Sequence, residues 1–124
     1  MLCDDRRMRR TVLIVDDHDA FRESASALLE AEGFAVVGEA ADGDGALAAA
    51  AQLRPEVVLL DIQLPDVDGI AVAERLAAVP DPPRVVLISS RDAAAYGARL
   101  EAAPARGFIP KRELSGAALA ALVG

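Results

Sequence analysis

The chain has 124 residues, enough for one domain of ordinary size with a single hydrophobic core. Its formal net charge of −7 and its pI of about 4.6 argue against direct binding of nucleic acid or of an anionic membrane by this domain. The one cysteine, Cys3, excludes an internal disulfide, and no apolar stretch reaches the roughly 18 residues of a membrane span. Residues 1–10 (MLCDDRRMRR) lack the apolar core of a secretory signal, so we expect a flexible charged arm and a cytoplasmic protein.

Five apolar runs predict buried strands, and a segment of helical periodicity follows each of them. The first run, TVLIV at residues 11–15, is followed by a helix with Asp19 as its N-cap, and this helix ends at Gly33. The second run, FAVVGEA at 34–40, precedes a turn and helix in ADGDGALAAAAQLR, which Pro55 halts.

The third predicted strand, VVLLD at 57–61, precedes a helix at 69–79. The fourth, RVVLIS at 84–89, precedes a helix in DAAAYGARLEAA, and the fifth, GFIP at 107–110, precedes a closing helix in ELSGAALAALV. Strict alternation of apolar strands with helices predicts an α/β domain with helices on both faces of a five-stranded parallel sheet. Right-handed crossovers favour the doubly wound, flavodoxin-like (βα)5 arrangement with strand order 2-1-3-4-5 over residues 11–124.

Polar side chains follow the predicted strands at the edge where all parallel strands end. Four strand ends carry them: Asp16 and Asp17 after the first, Asp61 at the third, Ser89 at the fourth, and Lys111 after the fifth. Taken singly, these residues have ordinary structural explanations, because aspartates cap helices or start turns and serines end strands. In a doubly wound sheet, however, these ends meet in the cleft where ligands bind.

Carboxylates that share a cleft raise each other's pKa values unless a cation joins them. An oxygen-rich cluster suits Mg²⁺, which keeps waters that a phosphate can replace. Lys111, the only lysine of the chain, can pair with phosphate, and a carboxylate can itself act as the nucleophile that forms an aspartyl-phosphate. The combination therefore points to phosphoryl transfer.

From residue 11 to residue 123 the sequence resembles the receiver domain of two-component response regulators. The resemblance rests on four pieces: VDD at 15–17, LLDIQLPDVDG at 59–69, LISS at 87–90 and GFIPK at 107–111. It implies a phosphorelay protein in which Asp61 accepts a phosphoryl group in a Mg²⁺-dependent reaction. We expect the strand end to hold this carboxylate rigid and exposed.

The resemblance also implies the ligands of the metal ion. Asp17 and Asp61 would bind Mg²⁺ through their carboxylates and Asp16 through a water. The backbone carbonyl of Gln63 would be a further ligand.

Four further roles follow from the same resemblance. Ser89 and Lys111 would each hold an oxygen of the phosphoryl group. Ser89 together with Phe108 would form the conformational switch. Gln63 and Arg91 would flank the path of the attacking water and so set the lifetime of the phosphorylated form.

The sequence departs from the common receiver pattern in three places. Many receivers have a proline directly after the lysine, whereas Pro110 precedes Lys111 and Arg112 follows it, which leaves the peptide isomer near the lysine open. The switch hydroxyl is Ser89 rather than the commoner threonine, and Phe108 lacks the hydroxyl of a tyrosine. None of these changes removes the chemistry.

The partners implied by the resemblance are a sensor histidine kinase or a phosphotransfer protein. The implied output is control of a partner or of a DNA-binding effector domain C-terminal to this chain, with transcription as the regulated process and a homodimer formed on phosphorylation. The domain would be no enzyme beyond its own Mg²⁺-dependent phosphorylation and autodephosphorylation.

Two other classes of protein remain as alternatives. A pseudo-receiver would act as a phosphorylation-independent dimerisation scaffold, although such domains tend to lose the acidic pair or the lysine. A phosphatase of the haloacid-dehalogenase type would form an aspartyl-phosphate intermediate, but it needs a second acid two residues after the nucleophile. Gln63 stands at that position.

Overall fold

The computed structural model describes residues 9–124, so residues 1–8 of the predicted N-terminal arm lie outside the described residues. The five parallel strands are β1 (Thr11–Val15), β2 (Ala35–Ala40), β3 (Val57–Asp61), β4 (Arg84–Ser89) and β5 (Gly107–Pro110). They form one sheet of order β2-β1-β3-β4-β5, which confirms the predicted flavodoxin-like topology.

Helices follow every strand, in chain order α1 (Asp19–Ala31), α2 (Gly43–Leu53), α3 (Gly69–Ala77), α4 (Ala98–Ala102) and α5 (Gly116–Val123). Single 3₁₀ turns occupy Ala93–Ala95 and Lys111–Glu113. None of the helices from residue 9 onward is long and apolar enough to cross a membrane.

The prediction of one continuous helix in DAAAYGARLEAA is wrong. A 3₁₀ turn is followed by Tyr96 and by Gly97, whose φ of 56° interrupts the helical backbone before α4 begins. Only glycine adopts such a conformation freely, so the chain changes direction there. The result is a loosely packed segment in which α4 has no fully buried residue.

Two other helix starts differ from the prediction by a few residues. Asp19 is the first residue of α1 rather than its N-cap, a position that His18 takes. α5 begins only at Gly116, because the Ser115 hydroxyl caps it by accepting from the Ala118 N–H at 3.0 Å. A 3₁₀ turn occupies the residues before this cap.

The core lies in two layers because successive strand residues point to opposite faces of the sheet. Leu13, Leu60 and Leu87 pack with α2 and α3 on one face. Ile14 and Leu59 pack with α1 and α5 on the other. Every residue of β3 is buried, and each such leucine contributes about 1.5–3 kcal/mol of hydrophobic stabilisation. This central strand is therefore a rigid support for the residue at its end, Asp61.

The loop between β3 and α3 is fixed to its surroundings by two aspartates. Asp66 accepts from the backbone N–H groups of Gly43 and Asp44, at 2.8 and 3.1 Å, and so caps α2 from 22 residues away. The N–H groups lower the pKa of the Asp66 carboxyl. Asp68 caps α3 by accepting from the Ile70 N–H at 2.8 Å.

Gly69 closes this loop against the end of β3. Its N–H donates to the Ile62 carbonyl at 2.8 Å, and a Cβ on Gly69 would lie 2.2 Å from the Asp61 carbonyl oxygen and 2.7 Å from the Ile62 Cα. These are backbone atoms of the central strand end, which cannot move aside. The position therefore requires glycine for space rather than for its conformational freedom.

We predict that Gly69→Ala lowers the free energy of unfolding by about 2–3 kcal/mol because the added methyl group overlaps this backbone. Gly33→Ala is the matched control: Gly33 has φ 102° and nothing within 4 Å of its Cβ position, so it reports conformational strain alone, about 1 kcal/mol. Urea unfolding measures both. A loss for Gly69→Ala no larger than that for Gly33→Ala would contradict the overlap.

Candidate functional site

A lysine and two aspartates from three different strand ends meet at the carboxyl edge of the sheet. Lys111 Nζ lies 2.6 Å from Asp16 Oδ2 and 3.2 Å from Asp61 Oδ2. Asp16 follows β1, Asp61 ends β3, and Lys111 follows β5, so this ion cluster exists only in the folded chain. The structure thus brings together three of the predicted site residues.

Asp61 is buried, with only 2% of its surface exposed, and the prediction that it would be exposed is wrong. The Lys111 side chain, itself 15% exposed, lies against Oδ2. On the other side, Oδ1 accepts from the Gln63 N–H at 2.9 Å. The exposure of a strand-end carboxylate depends on such neighbours, which the strand's own sequence does not reveal.

The pKa values of the three charged groups are shifted in different directions. Burial raises the pKa of Asp61, and although the Gln63 N–H and Lys111 oppose this, repulsion from Asp16 adds to it. Burial also acts to raise the pKa of Asp16, but hydrogen bonds from Lys111 and His18 outweigh it, so that this pKa lies below its ordinary value. Burial would lower the pKa of Lys111, yet its pairing with both carboxylates raises it. Lys111 is therefore an ammonium at neutral pH, and Asp61 is the carboxylate whose charge is less well compensated.

Helix α1 and its N-terminus support the cluster from one side. The Lys111 ammonium lies 4.7 Å from the centroid of the Phe21 ring, within the range of a cation–π interaction. Arg22 donates through Nη1 to the Asp16 carbonyl at 2.5 Å, through Nε to Glu39 at 3.1 Å, and forms an ion pair with Asp19. Sequence reasoning missed both side chains because nothing in the pattern of a predicted helix shows which strand end it reaches.

The acidic pair after β1 has a histidine partner that sequence reasoning also missed. His18 Nδ1 lies 3.0 Å from Asp16 Oδ1 and 3.1 Å from Asp17 Oδ1, and the ring is 68% exposed. The backbone N–H of His18 donates to the same Asp16 oxygen at 2.8 Å. The signal for this contact was the position of His18 directly after the aspartate pair.

Asp16, Asp17 and Asp61, with His18, place one potential ligand atom each within 4.8 Å of one another. The three carboxylates are hard oxygen donors of the kind that Mg²⁺ prefers, whereas imidazole suits other metals better. The oxygen donors therefore fit Mg²⁺, and His18 acts as a hydrogen-bond partner of the pair. Gln63 stands two residues after Asp61, and its carbonyl remains a predicted ligand.

Ser89 and the predicted switch residue Phe108 are linked by a residue that was not predicted. Ser89 is fully buried at the end of β4, and its Oγ lies 2.5 Å from the hydroxyl of Tyr96. The Tyr96 ring in turn lies 6.3 Å from that of the half-buried Phe108, at an interplanar angle of 58°. The backbone N–H of Arg91 donates to Ser89 Oγ at 3.0 Å, while the Arg91 side chain is exposed.

No cis peptide bond occurs in the described part of the chain, so the bonds on both sides of Pro110 are trans.

A groove of about 770 Å³ runs between the C-terminal ends of α2 and α3, lined by Arg54, Arg75 and Arg84 among others. None of the predicted site residues lines it. This groove is therefore separate from the ion cluster at the carboxyl edge.

The chain belongs to the response regulator receiver domain family, whose model matches residues 12–123. In its structure it is similar to the signal receiver domain of NarL from Mycobacterium tuberculosis, with a TM-score of 0.82, 36% identity, and coverage of 94% of this chain and 98% of that one. This likeness and the family assignment confirm the predicted family and fold.

Two curated relatives are regulators. BvgA of Bordetella pertussis, whose name describes a positive regulator of the transcription of virulence factors, is 37% identical over 106 residues, which are 86% of this chain and 51% of that protein. The response regulator GacA of Pseudomonas aeruginosa is 35% identical over 101 residues, 81% of this chain and 47% of that protein. The chain thus spans about half the length of these relatives.

The opposite pKa directions of the two buried aspartates predict opposite effects of neutral substitutions. In the absence of Mg²⁺, Asp61→Asn should raise the free energy of unfolding at neutral pH by roughly 1 kcal/mol. Because the pKa of Asp61 is raised in the folded protein, folding is favoured when this carboxyl group is protonated, and that contribution is lost as pH rises through the folded pKa. At neutral pH the charged carboxylate therefore opposes folding, and the neutral Asn does not. The gain should therefore vanish on acidification through the raised pKa.

Asp16→Asn is the matched substitution with the opposite sign. Because the folded pKa of Asp16 is lowered, its charge contributes stability above the unfolded value of 3.8, and this is lost as pH falls through the folded pKa. Asp16→Asn should thus destabilise the protein at neutral pH and lose this effect in acid. Urea unfolding across the pH range with a chelator present checks both, and equal signs at neutral pH would contradict the assignment.

Proposed function

We propose that Asp61 accepts a phosphoryl group from a phosphohistidine of a sensor kinase or phosphotransfer protein, in a Mg²⁺-dependent reaction. The observation that carries this proposal is the contact of the Asp61 carboxylate, at the end of the central strand, with the single lysine of the chain. Asp16 and Asp17 stand beside it with the carboxylates that Mg²⁺ requires.

The reaction is a displacement at phosphorus. A carboxylate oxygen of Asp61 attacks, the bond from phosphorus to the imidazole nitrogen breaks, and the imidazole keeps the electron pair as the neutral base. Burial removes solvating water from the Asp61 carboxylate, and Lys111 at Oδ2 offsets the negative charge that the phosphoryl group brings. The carboxylates of Asp16, Asp17 and Asp61 would hold Mg²⁺, which would supply further positive charge to the site.

Lys111 is able to redistribute its contacts in this reaction. It lies closer to Asp16 than to Asp61, at 2.6 against 3.2 Å, although Asp16 already receives hydrogen bonds from His18. A phosphoryl oxygen on Asp61 offers the ammonium a more strongly charged acceptor. We assign to Lys111 the role of holding that oxygen, and to Ser89 the role of holding another.

The proposed output passes through Ser89 and Phe108 to the face formed by α4, β5 and α5. Phe108 is only half-buried, so its ring has room to change position when Ser89 engages the phosphoryl group. Because the relatives BvgA and GacA are regulators about twice as long as the matched region, we propose that the domain controls a DNA-binding effector and forms a homodimer on phosphorylation.

A phosphorylation-independent dimerisation scaffold is the alternative. The filled acidic pair, phosphoacceptor position and lysine favour the phosphorylated receiver over it. A phosphatase is disfavoured by Gln63, which stands where a second acid would be needed.

Incubation with acetyl phosphate and Mg²⁺ should add one phosphoryl group to the wild type by intact mass and none to Asp61→Asn or to the wild type with a chelator. Asp81→Asn is the matched control, because Asp81 lies in the loop that precedes β4 at the opposite edge of the sheet. A label that persists in Asp61→Asn, or that maps to another residue, would sink the proposal. A wild type that takes no label would favour the scaffold.

The lifetime of the label is proposed to depend on Gln63 and Arg91. Both follow site residues by two positions, and both residues are exposed to solvent. The same labelled samples report this through their decay, which Gln63→Ala and Arg91→Ala should change several-fold. Decay curves identical to that of the wild type, and to that of a distant Arg75→Ala control, would speak against this role.

A further inference from the structure

The hydroxyl of Ser89 has two close partners in the structure. Tyr96 OH lies 2.5 Å from Ser89 Oγ, and the Arg91 N–H donates to the same oxygen at 3.0 Å. A serine hydroxyl has one proton to donate and two lone pairs that accept. The Arg91 N–H can only donate, so it occupies one of the two lone pairs.

The direction of the hydrogen bond between the two hydroxyls decides what Ser89 can still do. A phenolic hydroxyl is a stronger donor than an aliphatic one, so the favoured arrangement has Tyr96 donating to Ser89. Both lone pairs of Ser89 Oγ are then filled, and its own proton remains for an acceptor in the cleft. Ser89 is on β4 next to the strand that ends in Asp61, with which Ile88 is in register.

We propose that Tyr96 is a positioning residue that holds Ser89 with its proton available to an oxygen of the phosphoryl group on Asp61. This inference rests on the proposed function and deepens it. Tyr96 acts through Ser89 and does not touch the reacting atoms. In this chain the aromatic hydroxyl next to the switch serine comes from the segment before α4, while the aromatic residue of β5, Phe108, has none.

The segment that carries Tyr96 has few fully buried residues, so its position can change when the bond to Ser89 changes. Gly97 interrupts the backbone directly after it, and α4 has only five residues, none fully buried. Few buried contacts mean a low cost of local rearrangement. Tyr96 is tied to the sheet by the bond to Ser89 and by its packing against Phe108 and the adjoining core, so a change at Ser89 reaches α4 through it.

Tyr96 is the only tyrosine in a chain without tryptophan, so the intrinsic fluorescence of the protein reports on this one ring. Fluoroberyllate with Mg²⁺, a mimic of the acyl phosphate, should change that fluorescence in the wild type. The change should be largely lost in Ser89→Ala, where Tyr96 has no hydroxyl to bind. A signal equally large in Ser89→Ala would overturn the proposal.

A double-mutant cycle on the rate of phosphorylation by acetyl phosphate is the decisive test. Tyr96→Phe, which removes only the hydroxyl, should slow labelling roughly three- to tenfold, the rate equivalent of one hydrogen bond. In the Ser89→Ala background the same substitution should have no further effect, because its partner is already absent. Leu100→Ala is the control, since Leu100 packs the same segment against the core but is not a hydrogen-bond partner of Ser89, and its effect should be equal in both backgrounds.

The outcomes separate this inference from the proposed function. A wild type that labels on Asp61 while Tyr96→Phe labels at the same rate overturns the role of Tyr96 alone. So does a Tyr96→Phe defect that is undiminished in the Ser89→Ala background, because that is the behaviour of a structural residue. A wild type that takes no label overturns both, and thermal unfolding of each variant confirms that it is folded.

Discussion

The site depends on one ammonium group placed between two buried carboxylates. Lys111 follows β5, and to reach Asp16 after β1 it must extend across the ends of β4 and β3, which lie between them in the sheet. Its long apolar stem makes that reach compatible with burial, and the Phe21 ring lies under its charge. Without this cation, only hydrogen bonds from His18 and from the Gln63 N–H would offset the desolvation and mutual repulsion of Asp16 and Asp61, and removing one partner of a buried ion pair costs about 3–5 kcal/mol. The fold thus assembles the cluster, and the cluster in turn constrains how the strand ends are arranged.

The negative charges of the two buried carboxylates are compensated to different degrees. Asp16 receives hydrogen bonds from His18 in addition to its contact with Lys111, and together these lower its pKa. Asp61 has one backbone donor and lies farther from the Lys111 ammonium, so burial raises its pKa. Asp61 is therefore the carboxylate that gains more from additional positive charge, such as that of Mg²⁺. This incomplete compensation supports the proposal that Asp61 is the phosphoacceptor. In the proposed reaction, Lys111 and Ser89 are the groups that would hold oxygens of the new phosphoryl group.

The sequence allowed the sheet order to be predicted, because strict alternation of strands and helices with right-handed crossovers leaves few arrangements of a parallel sheet. The meeting of Asp16, Asp61 and Lys111 at one edge follows from that order. The burial of Asp61 could not be predicted, since it depends on tertiary neighbours such as Lys111, which is 50 residues away in the chain. Tyr96 was missed because its alanine-rich surroundings have the pattern of a regular helix, while Gly97 takes a positive φ that breaks it. His18 was not recognised because a histidine beside an acidic pair has no periodic signature. In each case the missing information is a tertiary contact and not a local preference.

The most direct test of this account is a carbon-13 NMR titration of the aspartate side-chain carboxyl groups in the Mg²⁺-free protein. The account predicts that Asp61 titrates above, and Asp16 below, the ordinary aspartate value of 3.8. Replacing Lys111 with methionine should raise both values, because each carboxylate loses its cation. Two carboxyl groups that titrate near the ordinary value and do not respond to the loss of Lys111 would show that this lysine does not hold the cluster of carboxylates together.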